Sequence, residues 1–211
     1  MADELADVFA SIYDERKWGG GSGAGSRPMS TIRYRYFLET FLDINKVRTV
    51  LDIGCGDWQF SRLIDWSRVK YLGLDVVASL VEANAARYGA ENIRFAPMPS
   101  DFAELPAADL LIIKDVLMHL PLAHIQQFIS IFPRFKFCLV SNDFWWKEQA
   151  HQLNIDIKPG GIRPIDLSAP PFSVCGAYVF EHMKQSDRKL FRTFLVTGIG
   201  QVDARPRGSP G

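Results

Sequence analysis

Acidic residues and glycines are spaced around the end of a short apolar run in a pattern that suits ligand binding. The run Val50-Leu-Asp-Ile53 is followed directly by Gly-Cys-Gly, and Asp52 lies two positions before the first of these glycines. A turn that brings its backbone close to a ligand favours glycine, because glycine has no Cβ and adopts positive φ without strain. Asp75 ends a second short apolar run, nineteen residues after Gly56. A carboxylate at that point could accept hydrogen bonds from the two hydroxyls of a ribose.

Two other nucleotide-binding patterns fit this sequence poorly. A dinucleotide-binding turn reads G-x-G-x-x-G, but Gln59 occupies the third glycine position and Asp52 is foreign to that fingerprint. A second glycine-rich stretch, WGGGSGAGSRP at 18–28, has the glycine spacing of a phosphate-binding P-loop. However, Ser26 and Arg27 occupy the positions of the required Lys and Ser/Thr, and the preceding residues are polar and helix-like. The sequence therefore argues against a nucleotide triphosphatase.

Composition places the chain among ordinary single-domain globular proteins. Of its 211 residues 47% are hydrophobic and 23% are charged, with 24 basic and 24 acidic side chains. That balance argues against a dedicated nucleic-acid binder, which normally carries a basic surplus. Cys55, Cys138 and Cys175 are too far apart to suggest a disulfide framework or a zinc site, and we expect no metal. The acidic N-terminus lacks an apolar leader, so we expect a cytoplasmic monomer or small homo-oligomer without a membrane partner.

The order of apolar segments indicates how these residues are positioned. A helix is expected from Thr31 to Leu42. Beyond it the predicted strands are 48–53, 71–75, 92–95, 108–113 and 136–140, and the predicted helices are 58–66, 78–88 and 121–132. Strands that alternate with helices indicate parallel βαβ units and a sheet covered on both faces. The segments 177–183 and 189–196 are joined by too short a link for a crossover helix, so they should form an antiparallel hairpin.

The D-x-G-x-G pattern together with Asp75 resembles the class I S-adenosylmethionine-dependent methyltransferases, over residues 48–143. The resemblance implies an α/β fold: a single Rossmann-like domain with a seven-stranded, mostly parallel sheet of order 3-2-1-4-5-7-6 and an antiparallel C-terminal hairpin. It implies S-adenosyl-L-methionine as the cofactor. Its expected parts within residues 1–203 are an N-terminal helix and glycine-rich lid (1–45), a cofactor-binding core (46–143), an acceptor cap (144–175) and the hairpin (176–198). A disordered tail is expected at 204–211.

The resemblance also implies roles for particular residues. Asp52, Gly54 and Gly56 would form the turn at the methionine side of the cofactor, and Asp75 would hold the ribose. Residues 101–102 would contact the adenine. The stretch 18–28 would close as a lid, in which glycines allow close approach and an arginine pairs with the methionine carboxylate. The residues predicted to contact the cofactor are Trp18, Arg35, Asp52, Gly54, Gly56, Asp75, Asp101, Phe102, Lys114 and Asp115.

Acceptor residues are expected beyond the carboxyl ends of the predicted strands, where ligands bind in open α/β sheets. His119 and Asp143 are the candidate general bases, because methyl transfer to oxygen or nitrogen often requires removal of a proton. The Pro- and Gly-rich stretch 154–174 lacks periodicity, and unstructured connections of this length are usually functional. We interpret it as a cap over the acceptor pocket. The predicted acceptor contacts are Asn142, Trp145, Trp146, Arg163 and Asp166.

The sequence favours a methyltransferase that acts on an oxygen or nitrogen of a small molecule, such as a sugar or secondary metabolite. A protein or RNA methyltransferase is disfavoured by the neutral charge and by Lys114-Asp-Val-Leu117, where an amino-group methyltransferase of nucleic acids would carry N/D-P-P-Y/F. A non-catalytic cofactor-binding protein, or a synthase that uses an aminopropyl donor, remains open at this point.

Overall fold

The centre of the protein is a seven-stranded sheet of order β3-β2-β1-β4-β5-β7-β6. The computed structural model describes residues 2–145, 152–184 and 189–198. The strands are β1 (Thr49–Ile53), β2 (Lys70–Asp75), β3 (Ile93–Pro97), β4 (Leu110–Lys114), β5 (Phe137–Trp145), β6 (Ala177–Lys184) and β7 (Lys189–Thr197). The first five strands pair in parallel, and β7 pairs antiparallel with both β5 and β6. The predicted strand order and the antiparallel hairpin are confirmed.

Four helices accompany the sheet in the described residues: α1 (Ala2–Asp14), α2 (Ile32–Ile44), α3 (Ala78–Tyr88) and α4 (Leu122–Ile131). The helix α2 shows why the sequence pattern predicted it. Its buried residues Tyr34, Leu38 and Leu42 recur every four positions and therefore form one apolar face against the sheet. The helices α3 and α4 also lie where their periodicity placed them.

The sheet is buried on both faces, which explains the continuous apolar runs of its central strands. All five residues of β4 are buried. Because successive side chains of a strand point to opposite faces, Leu111 and Ile113 pack into one hydrophobic cluster while Leu110 and Ile112 pack into the other. The helix α2 covers the second cluster, and α4 covers the first.

The predicted helix at 58–66 is wrong. This segment contains only a short 3-10 turn, Ser61–Leu63, and Trp58 adopts a left-handed φ of 57°. Its aromatic side chains decide the conformation: Trp58 and Trp66 are both buried beside the ring of Tyr71, and the Trp66 indole donates to the Ser61 carbonyl at 2.7 Å. Tertiary packing of both indoles in one cluster therefore overrides the local pattern.

Some sequence predictions lie outside the described residues. Trp146, part of the proposed cap (146–151) and the expected tail (204–211) belong to this group. Among the helices that are described, none combines the length and the apolarity needed to cross a membrane. The described residues also contain no cluster of His, Cys, Asp and Glu able to hold a metal ion.

Candidate cofactor and acceptor site

One large cavity of about 800 Å³ opens at the carboxyl ends of β1, β2, β4 and β5. Asp75, Lys114 and Asp143 line it at the ends of three of these strands. The helix α1 and the glycine-rich segment (residues 18–28) close it from the other side, through Phe9, Trp18 and their neighbours. This is the crevice in which open α/β sheets bind their ligands.

The turn after β1 depends on its glycines. Gly54 and Gly56 have φ of 72° and 56°, and the Gly54 N–H donates to the Leu74 carbonyl at 2.8 Å. A Cβ on Gly54 would collide with the side chain of Val116, and a Cβ on Gly56 would collide with Ser22. Both positions therefore require glycine for conformation and for space. Their backbone faces the cavity.

Asp75 ties this turn to the end of β2. One carboxylate oxygen accepts from the Gly56 N–H at 2.9 Å, and the other accepts from the Val77 N–H at 3.0 Å. Burial raises the pKa of Asp75, and the two backbone N–H groups oppose that shift. A carboxylate has about four acceptor positions, so each oxygen retains capacity for one further donor from the cavity that it lines.

Asp52 lines the same cavity from inside β1. It is buried, and the Tyr71 hydroxyl donates to its carboxylate at 2.6 Å. Burial raises the pKa of Asp52 to about 6, while the Tyr71 hydrogen bond and the nearby Lys114 ammonium lower it. A carboxylate so poorly solvated would interact favourably with a cation placed in the cavity.

Lys114 is buried rather than extended into solvent. Its ammonium pairs with the Asp115 carboxylate and donates to the Gly25 carbonyl at 3.2 Å. It also lies 5.0 Å and 5.2 Å from the ring centres of Phe60 and Phe191. The lysine therefore links the end of β4 to the glycine-rich segment, and both Lys114 and Asp115 border the cavity.

The glycine-rich segment is docked on the turn after β1. The Ser22 hydroxyl accepts from the Asp57 N–H at 2.9 Å, and the Ser22 N–H donates to the Asp57 carboxylate at 3.1 Å. The Tyr13 hydroxyl also contacts the Ser22 hydroxyl at 2.7 Å, which connects α1 to the same place. Residues of the segment thereby form one wall of the cavity.

His119 follows β4 and lines the cavity under the ring of Trp18, with ring centres 4.9 Å apart. Its Nδ1 lies 2.7 Å from the Gly161 carbonyl oxygen, which can only accept, so Nδ1 carries the proton. The Nε2 of the neutral ring is then a proton acceptor. Burial lowers the pKa of His119, so the ring is neutral at neutral pH.

The other predicted acceptor residues divide between cavity and scaffold. Asp143 lines the cavity. Asn142 is buried but does not line the cavity. Trp145 is the last residue of β5, and its side chain is not among those that the structure describes. Asp166 also lies outside the lining; it accepts from the Tyr178 hydroxyl and from Ser168.

Arg163 is in a different position from the one expected of a substrate contact. It is fully buried, and its guanidinium donates to the carbonyls of Leu117, Leu120 and Ile155. In the expected cap (144–175), Ile162 is the residue that borders the cavity among those described. The stretch therefore supports the turn that carries His119.

Of the residues predicted to contact the adenine or to act with the lid, some line the cavity and others do not. Phe102 lines an apolar end of the cavity with its ring 4.8 Å from that of Phe128. Asp101 is exposed and accepts from the Ala103 N–H at 2.8 Å, so it caps a 3-10 turn outside the cavity. Arg35 also lies outside the lining, where it donates to the Pro28 carbonyl at 3.2 Å and holds the end of the glycine-rich segment.

Sequence reasoning missed several polar residues of the site. Asn84 on α3 donates to the Gly56 carbonyl at 2.7 Å and secures the turn. Ser22 and Asp57 fix the glycine-rich segment, as described above. His124 lines the cavity one helical turn before Phe128, and neither of its ring nitrogens has a hydrogen-bond partner within the described part of the chain. The one available signal was the i, i+4 spacing of His124 and Phe128, which places both on one face of α4.

The strand order and the antiparallel β7 define the fold of class I S-adenosylmethionine-dependent methyltransferases. Solved structures share this fold at low sequence identity. Magnesium protoporphyrin IX methyltransferase from Synechocystis PCC 6803 with bound S-adenosylmethionine superposes with a TM-score of 0.58 at 16% identity, over 93% of this chain and 96% of that chain.

Two further domains give similar superpositions. The methyltransferase domain of bacterial CtHen1 has a TM-score of 0.54 at 15% identity, over 77% of this chain and 97% of that chain. The N-terminal domain of EvdMO1, crystallised in the presence of S-adenosylhomocysteine and D-fucose, has a TM-score of 0.55 at 14% identity, over 84% of each chain. No protein-family model and no curated protein matches the sequence.

Proposed function

We propose that this protein transfers a methyl group from S-adenosyl-L-methionine to an oxygen or nitrogen of a small molecule. One observation carries the proposal: a single cavity contains both the glycine turn with Asp75 and the candidate bases His119 and Asp143. A donor and an acceptor held there would meet without leaving the protein. Such positioning supplies much of the rate of a group transfer.

The residues present fit the ribose, the adenine ring and the sulfonium of the cofactor. The carboxylate of Asp75 has acceptor capacity for both ribose hydroxyls, and the glycine turn lines the cavity beside it. Met98, Phe102 and Phe128 form an apolar end suited to the adenine ring. When bound, S-adenosylmethionine supplies a methyl group on a positively charged sulfur. The carboxylate of Asp52 would stabilise that charge.

His119 is the better placed of the two candidate bases. The Gly161 carbonyl fixes its proton on Nδ1, so Nε2 is ready to accept the proton of a hydroxyl or amine. Trp18 packs on the same ring and restricts its rotation. Asp143 lies within electrostatic range of His119 and would stabilise the imidazolium that forms when the proton is taken.

The size and the rim of the cavity support a small acceptor with apolar surface. A volume of about 800 Å³ lies in the upper part of the usual ligand-pocket range of roughly 300–1,000 Å³, which suits two ligands together. Met29, Ile32 and Ile162 line the cavity and are also exposed. Among the similar structures, one is a magnesium protoporphyrin IX methyltransferase and another was crystallised in the presence of D-fucose, which supports a ring system or a sugar as the acceptor class.

The test is incubation with methyl-labelled S-adenosylmethionine and fractionated metabolite extract, followed by mass spectrometry of labelled products. We expect a labelled small molecule. His119→Ala should keep cofactor affinity and lose about 10²-fold or more in turnover. Asp143→Ala should show a smaller loss. A parallel incubation with the protein and RNA fractions is the second arm. Label there alone would assign a macromolecular acceptor, and cofactor binding without any transfer would indicate a non-catalytic binding protein.

A further inference from the structure

The four carbonyl groups of the turn that carries His119 are all bound by one short stretch of a distant loop. The turn is Leu117–Leu120, and the stretch is residues 160–163. The Gly160 N–H donates to the His119 carbonyl at 2.9 Å, and the Arg163 N–H donates to the Met118 carbonyl at 3.3 Å. The Arg163 guanidinium donates to the Leu117 carbonyl at 2.9 Å and to the Leu120 carbonyl at 2.6 Å.

The loop that supplies these donors is itself closed at its base. The Asn154 N–H donates to the Pro164 carbonyl at 3.2 Å, and the Asn154 side chain exchanges hydrogen bonds with the backbone of Asp166 at 2.8 Å and 2.9 Å. The third guanidinium bond of Arg163, at 2.9 Å, reaches back to the Ile155 carbonyl within the same loop. Arg163 therefore joins a pre-formed loop to the His119 turn.

The same stretch also holds the His119 side chain, through the Gly161 carbonyl at Nδ1. We propose that Arg163 is a positioning residue, which fixes the orientation and the tautomer of His119 so that Nε2 faces the cavity as a proton acceptor. Only the expected effect of Arg163 on turnover rests on the proposed function. The tautomer itself is a property of the protein without ligands.

Arg163 is suited to this task by chemistry as well as by position. Its planar fork spreads its donors over three nitrogens, which reach three separate carbonyls, whereas a lysine ammonium concentrates its donors at one nitrogen. Burial lowers the pKa of Arg163 to about 10, so the guanidinium stays charged at neutral pH. The charged groups that act on His119 are Asp115, Asp143 and Arg163, and Trp18 packs on its ring.

Histidine nitrogen NMR on the ligand-free chain tests the proposal directly. The chain has four histidines, and His119→Gln assigns the signal of interest. The wild-type signal should show the proton on Nδ1 and titrate below the usual pKa of about 6.5. Arg163→Lys retains the positive charge but loses the fork. It should populate the Nε2-protonated tautomer, because the Gly161 carbonyl then no longer holds the proton on Nδ1.

The turnover of Arg163→Lys gives a second readout. With the acceptor found by labelling, kcat should fall about 10- to 100-fold while cofactor affinity stays near the wild-type value, because a misplaced base costs rate rather than binding. Arg163→Met should show a larger shift in tautomer. If that variant does not fold, the lysine variant decides.

Arg134→Met is the matched control. Arg134 also donates to two carbonyls, those of Phe102 and Leu105, both at 2.6 Å, and among the described residues neither bond reaches the His119 turn. The Arg134→Met variant should leave the His119 signal unchanged. A wild-type His119 protonated on Nε2, a wild-type signal in Arg163→Lys, or an equal change in Arg134→Met would overturn the proposal. Absence of methyl transfer with the expected tautomer behaviour would instead refute the proposed function.

Discussion

Replacement of Asp75 by asparagine should weaken cofactor binding and destabilise the fold together. The carboxylate already accepts the Gly56 and Val77 N–H groups, one on each oxygen. An amide at this position turns one oxygen into a donor that faces a backbone N–H, which costs about 1–3 kcal/mol of unfolding free energy. The same change removes an acceptor for one ribose hydroxyl. A hydrogen bond to a charged group contributes about 1.5–3 kcal/mol, so Kd for S-adenosylmethionine should rise about 10- to 150-fold.

Asp109→Asn is the control for a carboxylate that holds backbone N–H groups away from the cavity. Asp109 accepts the Arg48 and Thr49 N–H groups at 2.8 Å and 3.0 Å, just before β1, at the opposite end of the sheet from the cavity. Both N–H groups bind the same oxygen, Oδ2, so the amide oxygen of the asparagine can keep them. This variant should therefore lose less stability than Asp75→Asn in a denaturant titration and retain wild-type affinity in calorimetry. If Asp75→Asn binds the cofactor as tightly as the wild type, Asp75 serves the turn alone and the assignment of the ribose site is wrong.

Two further predictions concern the charge and the closure of the cavity. Asp52 has a pKa of about 6 in the folded chain against the usual value of 3.8, so the stability gained from its protonation is present below about pH 4 and lost as the pH rises through about 6. Asp52→Asn should therefore raise the unfolding free energy at pH 7.5 by about 1–3 kcal/mol, and this gain should shrink below pH 5. Its cofactor affinity should fall. An equal gain in stability at pH 7.5 and below pH 5, measured by thermal melts, would contradict this prediction. Gly21→Ala should weaken cofactor binding, because its Cβ would collide with the Asp57 carboxylate that docks the glycine-rich segment. Gly20→Ala is its control, since Gly20 also has positive φ but has open space at that position, and equal affinities of the two variants would show that docking of the segment is irrelevant to binding.

The sequence predicted the sheet because each of its elements carries a strong local signal. The run Leu110–Ile113 is apolar on both faces, and the short link before Lys189 allows only a hairpin. The segment 58–66 has apolar spacing that suits a helix equally well. Its conformation is set by contacts of Trp58 and Trp66 with Tyr71, a residue that no local pattern connects to them.

The candidate site was predictable where a residue type follows directly from its position at a strand end. Asp75 and Asp115 belong to this group, as does the glycine turn. Arg163 and Asp101 were predicted to contact ligands because charged residues near a site favour that interpretation. In the structure, Arg163 donates to backbone carbonyls and Asp101 accepts from a backbone N–H. Asn84 was missed for the converse reason, since an asparagine within a helix gives no sign that a distant carbonyl needs its donor.

Binding of S-adenosylmethionine to the purified chain tests the central claim most directly. At about 100 times Kd, the cofactor or its demethylated product should stabilise the fold by roughly 2.7 kcal/mol, which corresponds to a rise in Tm of about 5–10 °C for a domain of this size. NAD and ATP should give no shift, because Gln59 and Arg27 interrupt the patterns that those nucleotides require. A shift with NAD or ATP and none with S-adenosylmethionine would contradict the account.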